Sequence, residues 1–477
     1  MNFIQNVNSF SKFFSKYQFF SIIRLITIEK VNMKIARFSR IGFIMASAGS
    51  AVGLGNIWKF PYITGEYGGG AFVLVYLITV LLIGFSIMIA EMLIGYLGRR
   101  DTVTSFEELA PKHKNLWKLA GFQGVTGLLI MIFYSVVIGW IFHYIVTSVT
   151  YLPSTVAQAQ SAFTTMLHAD FWTQFFYHTA SFIIITYVLH KGLKGGIEKL
   201  NMFLMPALMI ILASMFAYAL TLDGFSKAVH FMFYPDWSKI NSEAFVTAVG
   251  HAFFTLSLGM GAIMTYAASL EKNANIVKSA FWVVFLDTTI ALIAGLILFT
   301  FLFEYGSSPA KGPGLVFISL PAVFYKMGII GNVFAVLFFI ALAFAGLTSS
   351  VSLVEPMVQY FIDRFGWSRL KATVSMGAFF WFFGIFAILS NIDGVKEYLT
   401  WGSKNFFDWV DYITAAIMLP FGGLLMALFV GFVLPRSKVE ATMKPQLKWA
   451  FEPWYFSLRY ITPVAMFVVM LSLMGVL

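Results

Sequence analysis

Long apolar runs, separated by short polar or glycine-rich breaks, recur along the whole chain. Each run is long enough to cross a hydrocarbon core of about 30 Å as a helix. A transmembrane barrel would alternate polar and apolar positions in segments of about ten residues, and that pattern is absent. The runs predict eleven spans, at 41–66, 70–97, 119–149, 172–190, 197–221, 243–270, 277–304, 331–362, 372–390, 406–434 and 454–476. Between the seventh and eighth, residues 305–330 hold Pro309, Pro313 and Pro321 but also the apolar Leu315-Val316-Phe317-Ile318. That segment is too apolar to be solvated, so we expect it to fold back as a lid.

Two of the runs contain weak points for a helix. One is Ala48-Gly49-Ser50-Ala51-Val52-Gly53-Leu54-Gly55-Asn56-Ile57-Trp58-Lys59-Phe60-Pro61, in which each glycine costs about 1 kcal/mol relative to alanine. The other is Phe253-Phe254-Thr255-Leu256-Ser257-Leu258-Gly259-Met260-Gly261. Unwound backbone persists at membrane depth only where it is buried in protein or lines a cavity. There its N–H groups can hold an anion and its carbonyls can hold cations. The weak points fall in spans 1 and 6, each the first of a set of five. This is the arrangement of two inverted five-helix repeats plus one extra C-terminal span, and paired breaks mark a transporter's site. The expected fold is an all-α multi-span membrane protein. Residues 1–36 form a cytoplasmic extension, 37–221 the first repeat, 222–434 the second with its lid, and 435–477 a cytoplasmic loop and the eleventh span.

Composition supports this reading: of 477 residues, 59% are hydrophobic and only 11% charged, far from an ordinary soluble domain. The net charge of +10 resembles a nucleic-acid footprint in size, but its placement is topological. With the N-terminus inside, 25 of the 32 lysines and arginines fall on the inner side, as the positive-inside rule requires. The N-terminus is therefore expected in the cytoplasm and, with eleven spans, the C-terminus outside. The absence of cysteine excludes disulfides, thiolate metal sites and cysteine nucleophiles. The chain has no Asn-x-Ser/Thr sequon, and a bacterial cell (inner) membrane is the expected location. Residues 1–32 lack a signal-peptide pattern. Met33, directly before the basic Lys34-Ile35-Ala36-Arg37, is the expected start of translation.

The two breaks, with Gly68-Gly69-Gly70-Ala71-Phe72 and Ala345-Gly346-Leu347-Thr348-Ser349-Ser350, resemble the neurotransmitter:sodium symporter family in its bacterial amino-acid-transporting branch. The resemblance runs from about residue 37 to 434, and the last span is compatible with it. The family is itself a type case of paired broken helices. A nucleotide-binding reading fails, because Gly53-x-Gly55 and Gly259-x-Gly261 both lack a third glycine.

The resemblance implies that the substrate carboxylate meets the N–H groups of Gly53, Leu54 and Gly55 and is capped by Tyr134. Monoamine carriers have an aspartate at the position of Gly53, so it implies an amino acid substrate. Ile130, Phe254, Ser257, Met260 and Leu353 fall on the side-chain wall, and Ser50, Ala51, Thr255 and Ser349 complete the lining. Their apolar character favours a hydrophobic or aromatic amino acid, with Met260 as an adaptable wall.

Two co-transported sodium ions are implied. The first takes Ala51, Asn56, Thr255 and Asp287 together with the substrate carboxylate. The second takes the carbonyls of Gly49, Val52 and Ala345 with the hydroxyls of Thr348 and Ser349. Oxygen-only ligation suits a hard cation. Asp287 stands where many relatives have a neutral amide, and a mid-span acid is functional by default. Its charge beside sodium predicts no chloride requirement, although Tyr76 matches one chloride-site position; His251 replaces a glutamine at another.

The implied outer gate pairs Lys59 with Asp411. The inner gate acid is Asp363, with Lys34 or Arg37 as its basic partner; the family's inner-gate tryptophan is missing and Ser269 replaces a tyrosine. Gly196 and Pro206 weaken span 5, whose unwinding would admit water to the second sodium site. Glu91 is expected to make a structural hydrogen bond towards span 6. The resulting expectation is alternating-access sodium symport into the cell. A proton-coupled permease of the same architecture, with Asp287 or His251 as carrier, is the alternative. No nucleophile–base pair supports an intramembrane enzyme, no nucleic-acid partner is expected, and flux counting would expose a channel.

Overall fold

The computed structural model describes residues 37–307 and 314–476. Expectations for Met33, Lys34, Pro309 and Pro313 lie outside those residues. Eight helices are long and apolar enough to cross a membrane: Gly70–Gly98, Lys114–Thr150, Leu193–Ala219, Ile276–Glu304, Ile329–Phe365, Arg369–Leu389, Phe406–Val433 and Arg436–Leu473. A ninth span is the pair Arg40–Ala51 and Gly55–Glu66, bent by 45° at the glycine-rich break. Phe171–His190 and the interrupted pair Ser242–Thr255 and Ala262–Ala267 complete eleven among the described residues. They are numbered here as spans 1–11 in chain order. Spans 1 and 6 are the broken ones, each opening a set of five.

Spans 3 and 8 pack along one another, and the first half of span 1 packs against spans 5, 7 and 8 and the second half of span 6. Between apolar helices in lipid no hydrophobic driving force acts, so association depends on close backbone approach through small residues. Ala46-Ser47-Ala48-Gly49-Ser50-Ala51 supplies such a surface and is entirely buried. Gly127 does the same on span 3, where a Cβ would lie 2.3 Å from the Leu353 carbonyl oxygen.

Residues 315–326 form a helix after a wide first turn, with Leu315, Val316, Phe317, Leu320, Val323 and Phe324 buried. Burial explains why this inter-span segment is so apolar. Phe317 stacks on Phe163 at 5.3 Å and packs edge-on to Trp58 and Trp140, while the Tyr144 hydroxyl donates to its carbonyl at 3.2 Å. The segment folds back onto the helices, as its sequence requires.

One buried ion pair stabilises the end of span 8. Arg369 donates to both carboxylate oxygens of Glu355, at 2.7 and 2.5 Å, and to the Leu189 carbonyl at 2.8 Å. Removing one partner strands the other charge away from water. Arg369→Met is expected to cost about 3–5 kcal/mol, read as a large fall in the melting temperature of the detergent-purified protein.

Candidate functional site

In span 1 the helix stops where the Val52 N–H bonds to the Ala48 carbonyl at 2.6 Å and Val52 turns extended. Beyond the stop, the Gly53 N–H donates to Asn56 Oδ1 at 3.0 Å and the Leu54 N–H to the Tyr134 hydroxyl at 3.3 Å. The second half begins with a wide π-type turn over Gly55–Lys59, a feature common at functional sites. The backbone donors of the break thus point at groups that a ligand could replace or join.

Span 6 breaks more sharply. Ser257, Gly259 and Gly261 all have positive φ, at 54°, 77° and 76°. Serine is a costly residue there, and its hydroxyl donates to the Ser50 carbonyl at 2.7 Å, tying the two breaks together. At Gly259 a Cβ would also lie 2.3 Å from the Leu419 carbonyl oxygen. Glu91 accepts from the N–H groups of Gly259 and Met264, both at 3.3 Å. It caps the second half of span 6, which is the structural bond expected of it.

Between the breaks lies a small cavity of about 20 Å³, lined by all thirteen residues that the sequence reading assigned to the substrate. Tyr134 and Phe254 separate it from a vestibule of about 320 Å³ whose lining includes Trp58, Lys59, Trp140, Phe407 and Asp411. The inner cavity has room for about one water, so it must widen to admit a larger ligand.

Two groups of oxygen atoms flank the cavity. Asp287, fully buried, accepts from Asn56 Nδ2 at 2.7 Å, from the Thr255 hydroxyl at 2.9 Å and from the Tyr76 hydroxyl at 3.5 Å. On the other side, the Ser349 hydroxyl lies 3.2, 3.1 and 3.4 Å from the carbonyl oxygens of Gly49, Ser50 and Val52. The neighbouring Thr348 hydroxyl is 3.0 Å from the Ala345 carbonyl. Among the described residues, no cluster of three His, Cys, Asp or Glu could hold a metal. Carbonyl, hydroxyl and amide oxygens with a single carboxylate suit hard cations of low charge.

The sequence pattern of the sodium:neurotransmitter symporter family matches residues 36–166 and 169–476. The chain belongs to this family. An uncharacterised sodium-dependent transporter, YhdH, of Bacillus subtilis is 34% identical over 92% of this chain and 97% of its own length. A similarly named transporter of Haemophilus influenzae is also 34% identical, over 91% and 97%. A crystal structure of MhsT in complex with L-phenylalanine superimposes with a TM-score of 0.83 at 40% identity, covering 92% of this chain and 99% of that one. The architecture is the family's: two inverted five-helix repeats and an eleventh span in a membrane transporter.

The residues expected at the two gates are less simply placed. Lys59 and Asp411 share the vestibule but make no ion pair with each other among the described residues; the Lys59 ammonium sits 4.7 Å over the Phe254 ring. At the opposite end, Asp363 accepts from the Asp101 N–H at 3.0 Å and from Gln359 at 2.7 Å. Arg37 makes no ion pair with it among the described residues, and Lys34 lies outside them. Ser269 donates to the Tyr266 carbonyl at 2.7 Å instead of reaching a gate partner. Nearby, Glu198 at the start of span 5 accepts from the Ser39 hydroxyl at 2.5 Å and its N–H at 3.3 Å. Sequence reading missed Glu198. An acid two residues beyond Gly196 was the signal, but its partner lies 159 positions away.

Span 5 itself opens with a wide turn, Leu193–Glu198, and then continues as helix through Pro206. Near Asp287, His251 stacks on Phe60 at 6.0 Å and packs against Tyr76 at 5.4 Å. Neither of its ring nitrogens has a hydrogen-bond partner among the described residues.

Proposed function

We propose that this protein imports a hydrophobic or aromatic amino acid by sodium symport, through alternating access across a bacterial cell membrane. The observation that carries this reading is the cavity between the two breaks, with backbone N–H groups on one wall and apolar side chains on the other. The Leu54 N–H suits a carboxylate, as does the helix N-terminus that follows it. Gly53 leaves no acid to hold an amine lacking a carboxylate. Ile130, Phe254, Met260 and Leu353 offer a side-chain wall without charge. The phenylalanine bound in MhsT supports the same substrate class.

Asn56, Thr255 and Asp287, with the Ala51 carbonyl, are the proposed holders of the first sodium. Gly49, Val52, Ala345, Thr348 and Ser349 are those of the second. Two sodium ions moving down about 100 mV contribute roughly 4.6 kcal/mol before any concentration gradient is counted. The Asp287 carboxylate supplies the negative charge beside the first ion, so transport needs no chloride. Tyr134 and Phe254 close the path above the substrate, and Lys59 and Asp411 approach each other as that side seals. The N-terminus lies in the cytoplasm and the C-terminus outside, as the 25 inner basic residues support. The repeats divide at about residue 221, with residues 1–36 as a cytoplasmic extension.

Tyr134→Phe is expected to keep the fold but weaken substrate binding. Losing a hydrogen bond to a charged carboxylate costs about 1.5–3 kcal/mol, roughly ten- to a hundredfold in affinity. The central experiment is uptake of a labelled amino-acid panel into proteoliposomes, comparing inward sodium with inward proton gradients. Sodium-driven uptake of phenylalanine, tyrosine, tryptophan or leucine, unchanged when gluconate replaces chloride, is the expected result. Uptake driven by protons without sodium would overturn the reading.

A further inference from the structure

Asn201, on span 5, is fully buried, and its Oδ1 has no hydrogen-bond partner among the described residues. Its other amide atom is committed: Nδ2 donates to the Ile197 carbonyl at 2.8 Å. Flipping the amide would set Oδ1 against that carbonyl, acceptor to acceptor, so the orientation is determined by the bond. Oδ1 therefore faces Gly49, so closely that a Cβ on Gly49 would lie 1.8 Å from it and 3.1 Å from Thr348 Cβ. Asn201 Oδ1 and Thr348 crowd one face of the same glycine.

The neighbouring hydroxyls are already committed elsewhere. The Thr348 hydroxyl proton is spent on the carbonyls of Phe344 and Ala345, both at 3.0 Å. The Ser349 hydroxyl proton is directed at the carbonyls of Gly49, Ser50 and Val52. A buried acceptor left without a donor costs about 1–3 kcal/mol, and Asn201 Oδ1 is such an acceptor, placed beside a cluster of carbonyl and hydroxyl oxygens of the kind a hard cation takes.

We propose that Asn201 supplies an additional oxygen to the second sodium site, making span 5 part of that site. The assignment rests on the two-sodium reading above. It also gives span 5 a direct stake in the ion. The carbonyl that orients the amide belongs to Ile197, inside the wide turn Leu193–Glu198, so reshaping that turn releases the oxygen from the site.

The test is equilibrium binding of radioactive sodium to the purified full-length protein, for the wild type, Asn201→Ala and Asn201→Asp. Asn201→Ala is expected to raise the half-saturating sodium concentration about tenfold for one of two bound ions. Asn201→Asp keeps an oxygen at the same reach but loses the N–H that ties the side chain to the Ile197 carbonyl, so its affinity is expected to fall between those of Asn201→Ala and the wild type. A purely structural role predicts equal loss in both variants and a lower melting temperature without sodium. If Asn201→Ala does not fold, Asn201→Ser takes its place, because a serine hydroxyl still bonds to the carbonyl four residues back but withdraws the oxygen from Gly49. Titration of Asn201→Ala or Asn201→Ser identical to wild type overturns the assignment alone. A wild type that binds no sodium overturns the two-sodium reading and the assignment together.

Discussion

Asp287→Ala is expected to abolish sodium-driven uptake while leaving the protein folded enough to purify. The carboxylate is fully buried and is the acceptor for Asn56, Thr255 and Tyr76. On the proposed reading it is also the anionic ligand of the first sodium, and three donors without a sink cannot hold a cation. Truncating one member of a buried charged pair costs about 2–5 kcal/mol, so affinity for sodium should fall roughly a hundredfold or more. Asp287→Asn separates charge from geometry. It keeps an acceptor for the Thr255 hydroxyl but removes the negative charge. Its half-saturating sodium concentration should rise about tenfold, and added chloride should now stimulate uptake, because an external anion can stand in for the lost carboxylate. Wild-type sodium dependence in both variants would remove Asp287 from the site.

Gly53→Ala is the second change expected to have a large effect. A Cβ there would lie 2.6 Å from Ser349 Oγ and 3.1 Å from the Tyr134 hydroxyl. Both atoms end side chains that can rotate, so the fold accommodates the methyl group. The site does not. Moving Ser349 withdraws a hydroxyl from the carbonyls of Gly49 and Val52, and moving Tyr134 removes the group facing the Leu54 N–H. Breaking both hydrogen bonds costs about 2–3 kcal/mol at a typical 1–1.5 kcal/mol each, roughly thirty- to a hundredfold. Uptake at low substrate concentration and a normal elution profile on size exclusion are the paired measurements. Gly53→Asp should go further and abolish amino-acid uptake, since it places a carboxylate where the substrate's own would sit. Normal uptake by Gly53→Ala would show that the ligand does not approach this stretch.

The eleven spans and the positions of both breaks are legible in the amino-acid sequence. Each rests on a local property: the length of an apolar run, the helix cost of glycine, or the positive φ that Gly259 and Gly261 accept. The burial of Leu315-Val316-Phe317 was legible for the same reason, since these residues could not face water. The thirteen lining residues were legible only through the resemblance, because no spacing rule links Ile130 to Leu353. The pairings between distant helices come from the way the helices pack. Lys59 and Asp411 face one vestibule without bonding to each other, Asp363 accepts from Asp101 and Gln359, and Glu198 holds Ser39. Asn201 belongs with these. Nothing local marks it, and it reaches Gly49 only because span 5 crosses span 1 where a glycine lets an amide oxygen approach in place of a side chain.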